Sequence, residues 1–259
     1  MSGSSTVALR LPEVDGSVAD RLSVRLREYA AGKKLILGVS GGVDSATTLA
    51  LCVKSVGPEN VLGLIMPDTR TTPRADIEDA EELLTLLRVN HVRHNIDTVV
   101  DTFRDELDAV DAKLLGNIKA RIRMTILYYY ANKLDGLVVG TGDRSELLLG
   151  YFTKYGDGGV DVLPLGSLYK TQVRRLGDLL GVPPKIVNKP SSPALWVGQT
   201  AEGELGVKYE VADLILYAHT ELGYQERDLI RLGFDSGVVS RVIGLVTKSA
   251  HKRLLPPIL

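Results

Sequence analysis

The sequence is poor in cysteine and in long apolar runs. It has one cysteine in 259 residues, and no apolar stretch approaches the ~20 residues of a membrane-spanning helix. A single cysteine excludes an intrachain disulfide and a zinc centre built from several cysteines. The N-terminus also lacks the apolar region of a secretory signal. We therefore expect a cytoplasmic protein with no membrane partner.

An excess of charge of one sign is also missing. The chain has 31 Lys and Arg residues against 32 Asp and Glu residues, so its net charge is -1. No run of Lys and Arg reaches the length of a basic tail, which argues against nucleic acid as a partner, although a local basic patch stays possible. With 44% hydrophobic residues the chain can bury a sizeable core. Length and composition fit an enzyme built as a single domain over residues 1–259.

The most informative segment that is present is a glycine-rich loop after the apolar residues 34–37. Its sequence is Gly38-Val39-Ser40-Gly41-Gly42-Val43-Asp44-Ser45. An apolar run, a small turn and a helix-forming run predict a strand, a loop and a helix N-terminus. The glycines let backbone N–H groups approach an anion, the serines add hydroxyl donors, and the helix N-terminus adds partial positive charge. The loop is a candidate pyrophosphate site.

Asp44 adds a metal ion to this interpretation. A carboxylate beside a phosphate is favourable mainly when a divalent cation lies between them, so the loop predicts Mg²⁺. The loop lacks the Lys of a Walker A motif, which argues against γ-phosphate transfer. The SGGVDS string resembles the signature of the ATP pyrophosphatase superfamily, whose members cleave ATP between the α and β phosphates. The alternative is an ordinary strand-to-helix connection rich in Gly and Ser.

The order of the predicted elements indicates an α/β fold. Apolar periodicity predicts a helix over 18–31, a strand over 35–39, a helix over 45–56, a strand over 61–66, a helix over 75–87, an alternating segment over 91–99, a helix over 117–133 and a strand over 136–140. This order predicts a doubly wound, mainly parallel sheet flanked by helices. Ligands bind at the carboxyl ends of such strands, so the loops after Val39, Met66 and Val139 should converge.

The helix predicted over 117–133 is a second candidate segment. It carries Arg121 and Arg123, and it places Asn117, Arg121 and Tyr128 near one face. A guanidinium on that face could hold a phosphate or a ribose. Two arginines on a helix are, however, more often a solvated stripe.

A third segment completes a family resemblance. It reads Gly140-Thr141-Gly142-Asp143-Arg144-Ser145-Glu146 and continues into a glycine-rich stretch over 150–161. Together with SGGVDS, the Asn-Ile-x-Ala-Arg helix and later Gly-Gln-Thr and His-Lys elements, it resembles the ammonia-dependent NAD synthetases. The resemblance runs from about Leu35 to Arg253, with the motifs in the family's order. It implies an adenine nucleotide alpha hydrolase-like fold.

The resemblance also implies a reaction and a set of site residues. The reaction is a ligation in which ATP adenylates the nicotinate carboxylate of deamido-NAD and ammonia then displaces AMP, giving NAD, AMP and pyrophosphate. By similarity, ATP is bound by Gly38 through Ser45, Thr141, Lys170 and Ser192. By similarity, deamido-NAD is bound by Arg121, Lys154, Asp161, His251 and Lys252. The metal ligands implied for Mg²⁺ are Asp44 and Glu146.

The resemblance implies Asp44, Lys170 and Asp161 as the catalytic residues. Lys170 would hold the phosphates, and Asp161 is a candidate acceptor for the ammonium proton, with hydrogen bonding to the dinucleotide as the alternative. Without the resemblance, Lys170 would be read as a surface cation and Glu146 as an early helix residue favoured by the helix dipole.

Two positions depart from the family pattern. The family commonly has Gly-Gln-Thr-Asp-Glu where this chain has Gly198-Gln199-Thr200-Ala201-Glu202. If the missing carboxylate handles ammonia, Glu202 or another acid must replace it, and if it only orders the loop, Ala201 is harmless. Pro193 stands where the family usually has a small residue, so the assignment of Ser192 could shift by one position.

The nitrogen source and the oligomeric state follow from the same resemblance. The synthetase match leaves no room for a fused glutaminase domain, so we expect free ammonia or ammonia from a separate protein. The family implies a homodimer packed through long helices, and the helix that carries Tyr128-Tyr129-Tyr130 is the candidate interface. Two alternatives stay open: a related adenylating enzyme such as a tRNA thiolase, and a non-catalytic nucleotide-binding module.

Overall fold

A four-stranded sheet organises the computed structural model, which describes residues 9–107, 111–196 and 198–258. The strands are β1 (Lys34–Gly38), β2 (Val61–Ile65), β3 (Asn90–Arg93) and β4 (Gly136–Val138). They are all parallel and lie in the order β3-β2-β1-β4. Chain order therefore reverses at β1, which makes the carboxyl end of β1 the expected ligand-binding edge.

Helices cover both faces of this sheet. They are α1 (Gly16–Ala30), α2 (Val43–Val56), α3 (Arg74–Leu86), α4 (Asp97–Glu106), α5 (Ala112–Leu134), α6 (Arg144–Leu149), α7 (Lys170–Leu179), α8 (Pro184–Val187), α9 (Ala201–Leu205), α10 (Tyr209–Thr220), α11 (Glu226–Arg231) and α12 (Ser236–Lys248). Leu35 and Leu37 of β1 pack in one cluster with α1, α2, α3 and α7, whereas Ile36 packs on the other face with α4 and α5. This arrangement confirms the predicted doubly wound α/β fold.

A separate apolar cluster joins the C-terminal helices to the rest of the fold. It contains buried side chains of α6, α9, α10, α11 and α12, with Tyr209 and Leu216 fully buried at its centre. Helix α10 contacts α6 and α7, so this cluster lies next to the two helices that begin beyond β4. The C-terminal helices are thereby placed beside the ligand-binding edge of the sheet.

The predicted and observed elements differ most over residues 91–99. The alternating pattern predicted one extended segment, but the strand is only Asn90–Arg93 and α4 begins at Asp97. Ile96, the N-cap of α4, and Val100 are both buried, and their spacing of four residues is compatible with one face of a helix as well as with one face of a strand. The tertiary core therefore selects the helical period within an ambiguous segment.

Helix α5 is also longer than predicted, because it begins at Ala112 instead of residue 117. The Asp111 side chain caps it by accepting a 2.8 Å hydrogen bond from the Leu114 N–H. Within the described residues, no helix combines the length and apolar character needed to cross a bilayer.

Candidate active site

The glycine-rich loop lies between β1 and α2, where the sequence placed it. Gly42 is the N-cap of α2 and offers no side chain to the first helical N–H groups. The hydroxyl groups of Ser40 and Ser45 lie 3.1 Å apart, and Ser45 Oγ donates to the Gly42 carbonyl at 3.0 Å. The serines thus shape the loop, and the uncapped N–H groups at the start of α2 form its anion-binding feature.

Gly41 is needed for the loop to lie against α3. Its φ is +80°, and a Cβ there would lie 2.1 Å from the Asp76 carbonyl oxygen. Lys189 fixes the same contact, since its Nζ donates to the Gly41 carbonyl at 3.1 Å, to Asp76 Oδ1 at 2.7 Å and to Asp79 Oδ2 at 2.6 Å. The loop conformation is therefore held by a buried backbone contact and by one lysine.

Three carboxylates surround the ammonium group of Lys170 beside this loop. Lys170 Nζ lies 2.6 Å from Asp44 Oδ2, 3.0 Å from Asp143 Oδ2 and 2.8 Å from Glu146 Oε1. Lys170 and Asp143 are fully buried. The structure thus brings together the predicted residues Asp44, Glu146 and Lys170, and it adds Asp143.

Local structure explains how these side chains meet. Asp143 is the N-cap of α6, where Asp143 Oδ1 accepts from the Glu146 N–H at 2.8 Å in a capping box. Lys170 begins α7, and its N–H donates to Ser145 Oγ at 2.9 Å. Ser145 Oγ in turn donates to the buried Asp213 at 2.6 Å. Three helices, α6, α7 and α10, are therefore tied together directly behind the carboxylates.

The electrostatics of the cluster follow from its burial and its shared charge. Burial raises the pKa of Asp143 to about 6, with Lys170 opposing the shift and Asp44 adding to it. Burial also raises the pKa of Glu146 well above its ordinary value, with Lys170 opposing the shift. Burial disfavours the ammonium form of Lys170, but the three carboxylates outweigh it, so the pKa of Lys170 is well above its usual value.

The same cluster fits a divalent cation. Asp44, Asp143 and Glu146 can each place one carboxylate oxygen within 4.8 Å of the others. The buried atom Asp44 Oδ1 has no hydrogen-bond partner among the described residues. The three carboxylates and the Lys170 ammonium together have a formal charge of minus two, which a divalent ion would balance. Hard oxygen ligands of this kind suit Mg²⁺.

A cleft of about 530 Å³ opens above this cluster. Most residues predicted to bind ATP line it: Gly38, Val39, Ser40, Gly42, Val43, Asp44, Ser45, Thr141 and Ser192. Gly41 is turned toward α3, and Lys170 lies beneath the surface of the cleft. Ser192 Oγ donates to the Gln199 carbonyl at 2.6 Å, which ties the segment around Ser192 to the start of α9.

The residues predicted to bind deamido-NAD are more dispersed. Lys252 lines the cleft, and its Nζ donates to the carbonyls of Gly150 at 2.8 Å and Phe152 at 2.7 Å. Outside the cleft, Arg121 donates to the Lys154 carbonyl at 3.3 Å and Lys154 Nζ donates to the His251 carbonyl at 3.2 Å, so these three residues follow one another. Their binding roles stay predictions.

Asp161 lies apart from Asp44 and Lys170. Its carboxylate accepts from Tyr128 Oη at 3.1 Å and from the Val138 N–H of β4 at 2.7 Å, and it does not line the cleft. The structure therefore does not bring Asp161 together with the other two predicted catalytic residues, and its role as a proton acceptor stays a prediction.

Sequence reasoning missed several residues that line the site or hold it together. They are Asp143, Lys189, Tyr151 and Glu204. The Asp-x-x-Glu spacing of a capping box could have drawn attention to Asp143, since it follows a predicted strand. The other three carry no local signal, because their positions depend on how distant segments pack.

Comparison with known proteins settles the family. A family model described as NAD synthase matches residues 16–256. The chain belongs to the NAD synthase family. Among curated relatives, an NH(3)-dependent NAD(+) synthetase from Staphylothermus marinus is 53% identical, covering 89% of this chain and 85% of the relative. One from Saccharolobus solfataricus is 51% identical, covering 93% and 88%. The family predicted from the sequence is thereby confirmed.

Solved structures of similar proteins agree in fold. The NH3-dependent NAD synthetase from Campylobacter jejuni has a TM-score of 0.80 and 30% identity, covering 94% of this chain and 98% of that one. The NMN synthetase from Francisella tularensis has a TM-score of 0.85 and 32% identity, covering 96% and 99%. The architecture is therefore shared along nearly the whole of both proteins.

Proposed function

We propose that this protein is a ligase that forms NAD from deamido-NAD, ATP and ammonia, with release of AMP and pyrophosphate. The observation that carries the proposal is the carboxylate cluster of Asp44, Asp143 and Glu146 around Lys170, placed beside an uncapped glycine-rich helix N-terminus. The relatives at about 50% identity, which are NH(3)-dependent NAD(+) synthetases, support the same reaction. They do not support a tRNA thiolase.

In the first step the substrate carboxylate attacks the α-phosphate of ATP. The chain must hold two anions in line and reduce their repulsion. The N–H groups at the start of α2 can donate hydrogen bonds to phosphate oxygens, and Arg123 adds a partly buried guanidinium to the wall of the cleft. Its Nε donates to the Met66 carbonyl at 2.9 Å, and the nearby carboxylates of Asp68 and Asp157 favour its charged form, whereas burial lowers its pKa.

We propose Mg²⁺ as the cofactor, held by Asp44 and Glu146 together with Asp143. When bound, the ion would neutralise the triphosphate and the departing pyrophosphate. Lys170 is enclosed by these carboxylates, so we assign it the task of fixing their spacing and their total charge. Binding of ATP by Thr141 and Ser192, and binding of deamido-NAD by Arg121, Lys154, Asp161, His251 and Lys252, belong to the same proposal, whereas Lys170 acts on ATP only through the carboxylates.

The proposal extends to assembly and location. We assign a homodimer that packs through α5, on which the Tyr129 side chain is 59% exposed while Tyr130 Oη meets His94 Nε2 at 2.7 Å. We place the reaction in the cytoplasm because it consumes ATP, and we take residues 1–259 as a single synthetase domain. Sedimentation analysis of the purified chain tests the dimer, and a monomer at micromolar concentration would contradict it.

Substitution of Asp44 by Asn tests the proposed function. The variant removes one carboxylate from the cluster without a change of size, so we expect pyrophosphate release to fall by ~100-fold or more while the fold is kept. Asp105→Asn is the matched control, because Asp105 is an exposed carboxylate on α4. Near-normal turnover of the Asp44 variant would contradict the proposal.

A parallel assay with nicotinate mononucleotide measures the acceptor preference, and we expect the dinucleotide to be preferred.

A further inference from the structure

One wall of the cleft is formed by the short helix α9. Ala201, Glu204 and Leu205 all line the cleft, and their spacing of three and four residues places them on one face of this helix. Glu202 has a different task, since its Oε1 accepts from the Tyr209 N–H at 3.1 Å. The acid that this helix presents to the cleft is therefore Glu204.

Glu204 is held by neutral donors from two different parts of the chain. Its Oε2 accepts from Tyr151 Oη and from Gln199 Nε2, the latter at 2.7 Å. Tyr151 directly follows α6, and its N–H donates to the Glu146 carbonyl at 2.9 Å. Gln199 is buried, and its carbonyl accepts from Ser192 Oγ. Glu204 is thus linked both to the carboxylate cluster and to the segment around Ser192.

The other carboxylates of the cleft have different partners. Among the described lining residues they are Asp44, Asp76, Glu146 and Asp157. Asp44 and Glu146 pair with Lys170, Asp76 pairs with Lys189, and Asp157 accepts from the Thr153 N–H of its own loop at 2.8 Å. Hydrogen bonds from described residues to Glu204 fall on Oε2 alone, and no described cation pairs with it. Glu204 Oε1 is therefore an available anionic acceptor on a solvent-exposed side chain.

The second half of the reaction needs such an acceptor. When ammonia attacks the acyl adenylate, its lone pair forms the carbon–nitrogen bond and the carbonyl becomes an oxyanion. One proton must leave the nitrogen, and the oxyanion then collapses as the carbon–oxygen bond to AMP breaks and AMP departs with the electron pair. The products are the carboxamide, AMP and one proton.

We propose that Glu204 accepts this proton, with Tyr151 and Gln199 as the residues that position it. The inference rests on the proposed function. Burial, reinforced by the hydrogen bond to Glu204, raises the pKa of Tyr151, so the phenol keeps its proton and acts as a donor to the carboxylate. Glu204 lies on the same helix, α9, as Ala201. The helix therefore still presents a proton acceptor to the cleft although position 201 has no carboxylate.

The test separates the two half-reactions. For Glu204→Gln we expect NAD formation from ammonium to fall by ~100-fold or more, because general-base catalysis is lost while the side-chain volume is kept. Exchange of labelled pyrophosphate into ATP, which depends on deamido-NAD but not on ammonia, should stay within about three-fold. With hydroxylamine in place of ammonia the product is the hydroxamate, AMP and one proton, and its formation should be reduced less by the substitution, since the hydroxylamine adduct loses a proton more readily to water. Glu202→Gln is the matched control and should be within about two-fold of wild type in both assays.

Three results would overturn the inference. The first is wild-type ammonia turnover in the Glu204 variant. The second is an equal loss in the exchange and amide-forming assays, which would show that Glu204 only orders the cleft. The third is a selective loss of amide formation in Asp157→Asn with none in Glu204→Gln, which would assign the proton to Asp157. Failure of the proposed function is visible separately, as absence of deamido-NAD-dependent exchange in the wild-type protein.

Discussion

Replacement of Lys170 by Met is the perturbation that most directly examines the carboxylate cluster. The change removes a fully buried ammonium group whose Nζ lies 2.6, 2.8 and 3.0 Å from three carboxylates. Removal of one partner from a buried ion pair costs about 3 to 5 kcal/mol of unfolding free energy. For a chain of this size the melting temperature should fall by about 6 to 20 °C.

The same variant should respond more strongly to Mg²⁺. Without the ammonium, the carboxylates lose their internal counter-charge, so added Mg²⁺ should raise the melting temperature of the variant more than that of the wild type. Adenylation should nevertheless fall by ~100-fold or more, because the ligand spacing that Lys170 fixes is lost. Calorimetry with and without Mg²⁺ measures the first effect, and pyrophosphate release measures the second.

A matched lysine provides the control. Lys185 Nζ lies 2.7 Å from Asp79 and 2.6 Å from Glu82, but its side chain is 49% exposed. Lys185→Met should therefore leave the melting temperature and turnover almost unchanged, because solvent screens an exposed ion pair. If Lys170→Met melts within about 2 °C of wild type, or if Mg²⁺ stabilises both proteins equally, the reasoning about the cluster is refuted.

Further predictions concern the glycine-rich loop, a buried ion pair and the pH dependence of stability. Gly41→Ala should lower both the melting temperature and the affinity for ATP, because φ is +80° and a Cβ would lie 2.1 Å from a main-chain oxygen of α3. An unchanged melting temperature together with an unchanged ATP affinity would contradict this prediction. Asp68→Asn should cost about 3 to 5 kcal/mol by urea unfolding, since Lys119 Nζ, 2.7 Å away, is left buried without its partner. Burial opposes ionisation of Asp68, but Arg70 and Lys119 hold its pKa at about 2. The stabilisation of the folded protein by the Asp68 carboxylate should therefore be present above about pH 4 and lost as the pH falls through about 2. Burial raises the pKa of Asp143 to about 6, so the folded protein binds a proton here more readily than the unfolded chain does. The free energy of unfolding of the metal-free protein should therefore rise as the pH falls from about 6 toward 4, while stabilisation by Mg²⁺ weakens over the same interval. Melting curves with and without Mg²⁺ across this range measure both effects.

Much of the fold could be predicted because its strands and helices have strong local periodicity. The apolar runs that became β1, β2 and β4 were identified within one or two residues. Residues 91–99 could not be resolved in the same way, because their apolar positions fit a strand and a helix turn equally well until Ile96 and Val100 are placed against the core.

The site was predicted where motif and topology coincide. Asp44 and Glu146 follow two neighbouring strands of the sheet, so their convergence on Lys170 follows from the parallel order. Asp143 was missed because a helix cap and a metal ligand have the same sequence signature. Glu204 was missed because Tyr151, 53 residues earlier in the chain, is brought to it only by tertiary packing.

The most direct test of the account is a complete reaction with the wild-type protein. Purified protein is incubated with Mg-ATP, ammonium and deamido-NAD, and all products are quantified by chromatography. We predict NAD, AMP and pyrophosphate in equal amounts, with no NAD when either ammonium or deamido-NAD is omitted. Formation of ADP and phosphate, or pyrophosphate release that responds only to a different acceptor, would contradict it.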